Sequence, residues 1–412
     1  MSTYHDPMRQ CNYLHQSLVQ DKLPIGLFLG AGCPFSICPD VGQSNVRLIP
    51  DIAGLTAAVN TALSGTGSGR VSKQIYSHFA EDNRPVPTIE QFLGHVRALA
   101  QVVGAKDVRG ITAIELEALD LEICRQIVKI TNVSLPPRRT PYHDVAAWIG
   151  STQRESPVEI FTTNYDLLME EALEEYRAPF FDGFVGSREP FFDTQAIEDD
   201  PLPVRWVRLW KLHGSINWRQ GSNGRVYRTR LASHNQEECY IIHPSHLKYA
   251  ESRRMPYLAM IDRLRAFLRR RSCLLIVSGY SFGDEHLNEV LLQGLFGNAS
   301  ASVFALMFGS IHSLDNKIRL DRLPANLSVL ASSEAIVGGI RAPWQLEYNI
   351  DYATENEGLE WVGDPTIPGK RCVSFQLGDF VRFGSFLSAL VGRRGLSGSG
   401  ASPIVRQETV NG

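Results

Sequence analysis

"LPIGLFLGAGCPFSI" (residues 23–37) decides how the rest of the chain is read. A largely apolar run climbs to Leu29 and stops at Gly30-Ala31-Gly32, with Cys33-Pro34 behind it. A run of this kind reads as a strand buried on both faces, the type that parallel sheets use. The two glycines have two readings. They form a tight turn, or they leave the backbone bare so that its N–H groups can meet a phosphate. The third glycine of G-x-G-x-x-G is absent, and the turn by itself leaves both readings open.

Outward from this stretch the pattern recurs. Strand-like runs appear at "VEIFTTN" (158–164), "VRWVRLWKLHG" (204–214), "CYIIH" (239–243), "CLLIVSGYSF" (273–282) and "SVFALMF" (302–308). Helical periodicity falls at 8–20, in "YDLLMEEALEEY" (165–176), at 256–271 and at about 284–296. The alternation predicts an α/β fold, a Rossmann-like parallel sheet with helices on both faces. A hairpin with an Asn-Gly turn is expected in "NWRQGSNGRVYRTR" (217–230).

Only helical patterns separate the first strand from the second. "TIEQFLGHVRALAQVVG" (88–104) opens with a Thr88-x-x-Gln91 capping box, and Ile89, Phe92, Leu93, Val96 and Leu99 share one face. Another helix is predicted over 113–131. An inserted helical module is therefore expected over about 52–150, within a catalytic domain spanning 1–330. Past residue 330 short strands and a closing helix predict a smaller C-terminal region, 331–392, serving assembly. The small, polar tail 393–412 is expected to be disordered.

The composition is that of a globular protein, 43% hydrophobic and 21% charged over 412 residues, with a formal net charge of −3. That balance removes any general electrostatic argument for nucleic acid or membrane. Seven scattered cysteines contain no C-x-x-C pair, which points to reduced thiols and to no structural metal site. The first residues lack the apolar core of a signal peptide, and no run reaches the roughly 18 apolar residues of a membrane span. The expected compartment is the cytoplasm. No G-x-x-x-x-G-K-[ST] or H-E-x-x-H occurs, and no nucleophile elbow is expected.

Four strands end in unusual residues: "GAGCP" (30–34), "TTNYD" (162–166), "KLHGS" (211–215) and "SGYSFGDEHLN" (278–288). In a parallel sheet these tips share one edge, where ligands bind. Asn164 and Asp166 suit either helix capping or a ribose site. His213 suits either a satisfied buried histidine or a proton acceptor near neutral pH. At the fourth tip Gly279, Ser281 and Asp284 suit a turn and a cap, while His286 and Asn288 are expected to face solvent.

The ordered set G-A-G, T-T-N-x-D, K-L-H-G and S-G-Y-S-F-x-D resembles the sirtuin fold family. It is closest to the NAD-consuming branch of bacterial antiviral defence. "IPDIAGL" (49–55) resembles that family's proline–aspartate segment and brings in Asp51. The opening motif with "LIPDIAGLT" is similar to the sirtuin-like subunit paired with a HerA-type DNA translocase. The resemblance implies NAD as substrate, without a metal. Gly30, Ala31 and Gly32, beside Cys33, would hold the pyrophosphate. Asn164 and Asp166, next to Thr163, would lie at the nicotinamide ribose, and His213 would be catalytic. Gly279, Tyr280 and Ser281, with Asp284, would border the adenosine half.

The same resemblance implies a homo-oligomeric ring docked on a hexameric HerA-type ATPase, with any DNA contact through that partner and none with membrane. The missing C-x-x-C pairs turn the expected activity from protein deacylation to NAD+ hydrolysis. NAD-dependent deacylation is one alternative. A DNA-associated scaffold or nuclease is another, supported by Arg263, Arg265, Arg269, Arg270 and Arg271 in "ESRRMPYLAMIDRLRAFLRRR" (251–271).

Overall fold

The computed structural model describes residues 4–39, 46–104, 106–221, 224–229, 239–242, 256–347, 357–363 and 371–391. The tail expected at 393–412 and Asn223 of the hairpin turn lie outside the described residues. Helix α1 (Pro7–Val19) leads into β1 (Ile25–Leu29), and the glycine turn opens a short helix, α2 (Gly32–Phe35). Helices α3 (Ile52–Ser64), α4 (Gly69–Glu81), α5 (Ile89–Val102), α6 (Ala113–Thr131) and α7 (Pro141–Ser151) follow. The chain returns through β2 (Glu159–Thr162), α8 (Leu168–Glu175), β3 (Phe180–Phe181), β4 (Phe184–Val185), β5 (Phe191–Phe192) and α9 (Thr194–Asp199).

Next come β6 (Val207–Lys211), β7 (Gly214–Gln220), β8 (Val226–Arg228) and β9 (Cys239–Ile242). Then α10 (Tyr257–Leu268), β10 (Leu274–Ser278), α11 (Glu285–Gly297), β11 (Ser302–Leu306) and β12 (Leu327–Leu330) restore the alternation. The chain closes with β13 (Glu334–Val337), β14 (Ile340–Pro343), β15 (Leu359–Gly363), β16 (Arg371–Phe375) and α12 (Phe380–Leu390).

Nine of these strands make one sheet, ordered β14-β13-β12-β11-β10-β1-β2-β6-β3. From β12 to β3 every pairing is parallel, and β13 and β14 extend it antiparallel. Side chains alternate across a strand, and here both faces are apolar. Leu27, Leu29, Leu274 and Ile276 pack with α1, α7, α8 and α12, whereas Phe28, Leu275 and Val277 pack with α10 and α11. This double burial is why the strands read as continuous apolar runs. The fold is the expected Rossmann-like α/β architecture, with helices on both faces of the sheet.

Helices α3 to α6 hold a third apolar core, built around Val59, Ile75, Phe92, Leu119 and Ile123. Both capping boxes form, Thr88 with Gln91 and Thr112 with Glu115. α7 lies instead against the sheet, beside α8 and α12. Tyr165 and Ile216, from the strand-tip region, insert into the core of the module. The helical module and the sheet edge are thereby packed as one surface.

The basic run on α10 turns partly inward. Arg270 reaches the fully buried Glu159 at 2.5 Å, and Arg263 lies 3.6 Å from Asp200 and donates to the Ile197 carbonyl. These two arginines neutralise buried carboxylates beneath the sheet, so they are not a grip for phosphates.

Candidate active site

Strands β10, β1, β2 and β6 are neighbours and end level. Leu29 stands opposite both Ser278 and Thr162, and Thr162 opposite Lys211. The four unusual tips therefore meet along one edge, as the rule for parallel sheets requires.

At the first tip the glycines answer to another loop. A Cβ on Gly30 would stand 2.4 Å from the Gly279 carbonyl oxygen, and one on Gly279, at φ +65°, would stand 2.6 Å from Cys33 N. The Gly30 amide donates to Ser278 O (3.0 Å), Gly32 to Gly279 O (2.8 Å) and Cys33 to Gly30 O (3.0 Å). The amides of Gly30 and Gly32, expected to face a pyrophosphate, are thus taken by carbonyls of the same sheet edge. Ala31 is exposed, and its amide makes no hydrogen bond to the described residues. Cys33 is buried, its Sγ 3.4 Å from Ser278 O, and burial pushes its thiol far above the usual range.

At the second tip Thr162 Oγ1 donates to Leu29 O at 2.9 Å and accepts from the Asn164 amide at 3.0 Å. Asn164 then donates from Nδ2 to Gly30 O at 3.1 Å, which ties the glycine turn to β2. The Thr163 amide donates to Leu29 O at 3.3 Å. Asp166 accepts from the Leu168 amide at 3.1 Å, so the capping reading holds for it. Burial pushes its carboxyl up to about 6, against the pull of Lys211. The buried Lys211 donates to the Asp166 carbonyl and, at 2.9 Å, to Glu170.

His213 sits in the turn between β6 and β7, buried, with Nε2 3.0 Å from Asp284 Oδ2. Asp284 also caps α11, its Oδ1 accepting from the amides of His286 (2.9 Å) and Leu287 (3.2 Å). Burial alone would lower the His213 pKa. The hydrogen bond and charge of Asp284, with Glu90, outweigh it and raise the value. The same contact holds Asp284 below the usual carboxylate range against its own burial. With Asp284 accepting from Nε2–H, the neutral ring carries its basic lone pair on Nδ1.

Other expected residues lie differently. Asp51 is exposed and caps α3 through the Gly54 amide at 2.8 Å. The Tyr280 ring is buried against Phe28, and its hydroxyl donates to Asn288 Oδ1 at 3.0 Å. Asn288, expected in solvent, is therefore buried, and it also donates to Phe282 O at 2.9 Å. A polar residue on a helix is drawn inward where a buried hydroxyl and carbonyl need partners. Ser281 is exposed and forms no hydrogen bond through its side chain to the described residues. Residues 279–283 do have the G-x-S-x-G spacing, but the left-handed residues are Gly279 and Phe282, so Ser281 is not held in a nucleophile elbow.

Three residues at this edge carried no signal in the sequence patterns. Tyr142, from α7, is fully buried beside the Asn164 side chain, without a well-aligned hydrogen bond for its hydroxyl. The Ser278 hydroxyl is likewise buried, beside Cys33 and without a well-aligned hydrogen bond. Tyr165 OH donates to Glu90 Oε1, from α5, at 2.9 Å. Lys211 could have been noticed as a charge inside a buried strand.

Residues 158–323 match the SIR2-like domain. The match supports a sirtuin-like family for the chain and is consistent with NAD-related activity. It contains Asn164, Asp166, His213 and Gly279 to Asp284, and leaves the glycine turn, Glu90 and Tyr142 outside. No curated protein matches the chain. No helix among the described residues is long and apolar enough to cross a membrane.

The exposed Ala31 amide is a donor suited to a phosphate oxygen, and the Asn164 oxygen and His213 Nδ1 are acceptors suited to ribose hydroxyls. A wide cleft lies elsewhere, beside α8, between Glu170, Glu174, Asp182, Arg188, Phe191 and Arg228. It contains none of these groups.

Proposed function

We propose that the chain is an NAD+ glycohydrolase that cleaves NAD+ to nicotinamide and ADP-ribose. The observation that supports this most is the level row of β10, β1, β2 and β6, which sets Asn164, Asp166 and the His213–Asp284 pair around one turn. The bond to be cleaved already carries a cationic leaving group. Its electron pair departs with neutral nicotinamide, so little acid catalysis is needed. The work left to the protein is to stabilise a positively charged ribosyl centre and to deliver water. Asn164, anchored through Nδ2, orients a ribose hydroxyl or the water with its oxygen. His213 accepts the water's proton at Nδ1 as the new C–O bond forms, and Asp284 stabilises the resulting imidazolium.

On the motif resemblance alone, we extend the proposal to an effector of bacterial anti-phage defence. In that role the chain forms a homo-oligomeric ring with a HerA-type hexameric ATPase in the cytoplasm, and any DNA contact passes through that partner. The test of the chemistry is nicotinamide release from NAD+. Asn164→Ala and His213→Ala should each lose on the order of 10²-fold or more in turnover with the fold retained. Wild-type rates in both would reject the assignment.

A further inference from the structure

Neither carboxylate expected from the sequence has much to offer a cation at the strand tips. Asp284 spends Oδ2 on His213 and Oδ1 on two α11 amides. Asp166 is buried, with Oδ1 on the Leu168 amide, and the neighbouring Lys211 cation offsets its charge. Yet a reaction that moves positive charge from a pyridinium ring to a ribosyl centre calls for a fixed negative charge nearby.

The helical module supplies one. Glu90 stands in the first turn of α5 and is half-buried. Its Oε1 accepts from the Tyr165 hydroxyl at 2.9 Å, and its Oε2 has no partner among the described residues. Tyr165 lies in the chain between Asn164 and Asp166, and its ring centre is 6.4 Å from that of His213. The negative charge of Glu90 is felt at both His213 and Tyr280, residues of two different tips. An acidic first turn is also ordinary helix chemistry. The tether to Tyr165 is not, because it ties the start of α5 to the segment that carries Asn164 and Asp166.

We propose that Glu90 is the substrate-facing carboxylate of the site, set against the positive charge of the bound nicotinamide ring and then of the ribosyl centre as the glycosidic bond breaks. The inference rests on the NAD reading and makes the helical module part of the active site. It also explains why Tyr165 and Ile216 are packed into that module's core.

The test compares NAD+ with NADH, whose dihydronicotinamide ring is neutral. Dissociation constants are measured by calorimetry in a His213→Ala background, which slows turnover. Glu90→Gln keeps an acceptor for Tyr165 and the helix start but removes the charge, and Glu90→Asp keeps the charge. The preference for NAD+ over NADH should fall roughly five-fold or more in Glu90→Gln and persist in Glu90→Asp. With His213 intact, nicotinamide release should fall on the order of 10²-fold in Glu90→Gln. An unchanged preference in Glu90→Gln overturns the proposal. A changed preference in a protein that never releases nicotinamide keeps Glu90 at the ring and rejects hydrolysis instead. Failure of NAD+ to bind overturns both.

Discussion

Replacing Gly30 by alanine separates the two readings of the glycine turn. The new methyl would sit 2.4 Å from Gly279 O and 2.6 Å from Tyr280 Cα, both backbone atoms that cannot rotate away. The loops must part, which strains the bonds from Gly30 N to Ser278 O and from Gly32 N to Gly279 O. Overpacking of this kind costs about 1–3 kcal/mol, and each weakened bond about 0.5–1.5 kcal/mol. The alanine recovers about 0.4–1 kcal/mol by restricting the unfolded chain. The net loss should be about 1–6 kcal/mol, a sizeable part of the roughly 5–15 kcal/mol typical of a folded domain.

Urea denaturation of the ligand-free protein reads this directly, with Gly67→Ala as the control. A Cβ on Gly67 meets nothing within 4 Å, so that variant should match wild type or exceed it slightly. A Gly30→Ala protein as stable as wild type, but unable to bind NAD+, would refute the loop-packing account. The glycine would then serve the ligand alone.

Asp284→Asn should lower the His213 pKa, since an opposite charge in contact is lost while burial remains. The raised histidine adds stability fully below about 6.5 and loses it as pH rises through its folded value, whereas the depressed carboxylate adds stability above about 3.9 and loses it as pH falls. The melting temperatures of wild type and Asp284→Asn should therefore differ most between about pH 4 and 6.5, and the gap should narrow above the His213 pKa. The acid limb of kcat/KM should move to lower pH in the variant, and an unmoved limb would remove His213 as the titrating base. Tyr142→Phe removes a buried hydroxyl that lacks a well-aligned partner, so stability should hold or rise by about 1 kcal/mol. If that hydroxyl meets the substrate, nicotinamide release should fall in the same protein. Unchanged turnover would place Tyr142 outside the site.

The fold was legible because β1, β2, β10 and β11 are buried on both faces, and double burial writes itself as unbroken apolar runs. The meeting of the four tips followed from parallel pairing alone. The glycine turn stayed ambiguous because the atoms that exclude a side chain at Gly30 belong to Gly279 and Tyr280, far along the chain. Glu90 and Tyr142 were invisible for a related reason. Periodicity reports which face of α5 or α7 is apolar, not which polar residue at its start or margin reaches a distant sheet edge. Asn288 was misplaced because its burial depends on Tyr280, whose own hydroxyl needs a partner inside the protein.

The central claim is that this edge cleaves NAD+ by itself, and the most direct measurement is a product balance on protein and NAD+ with no acylated peptide present. The account predicts nicotinamide and ADP-ribose in equal amounts, formed at the same rate whether or not such a peptide is added. Nicotinamide that appears only when an acylated peptide is supplied, with the acyl group transferred in step, would contradict it.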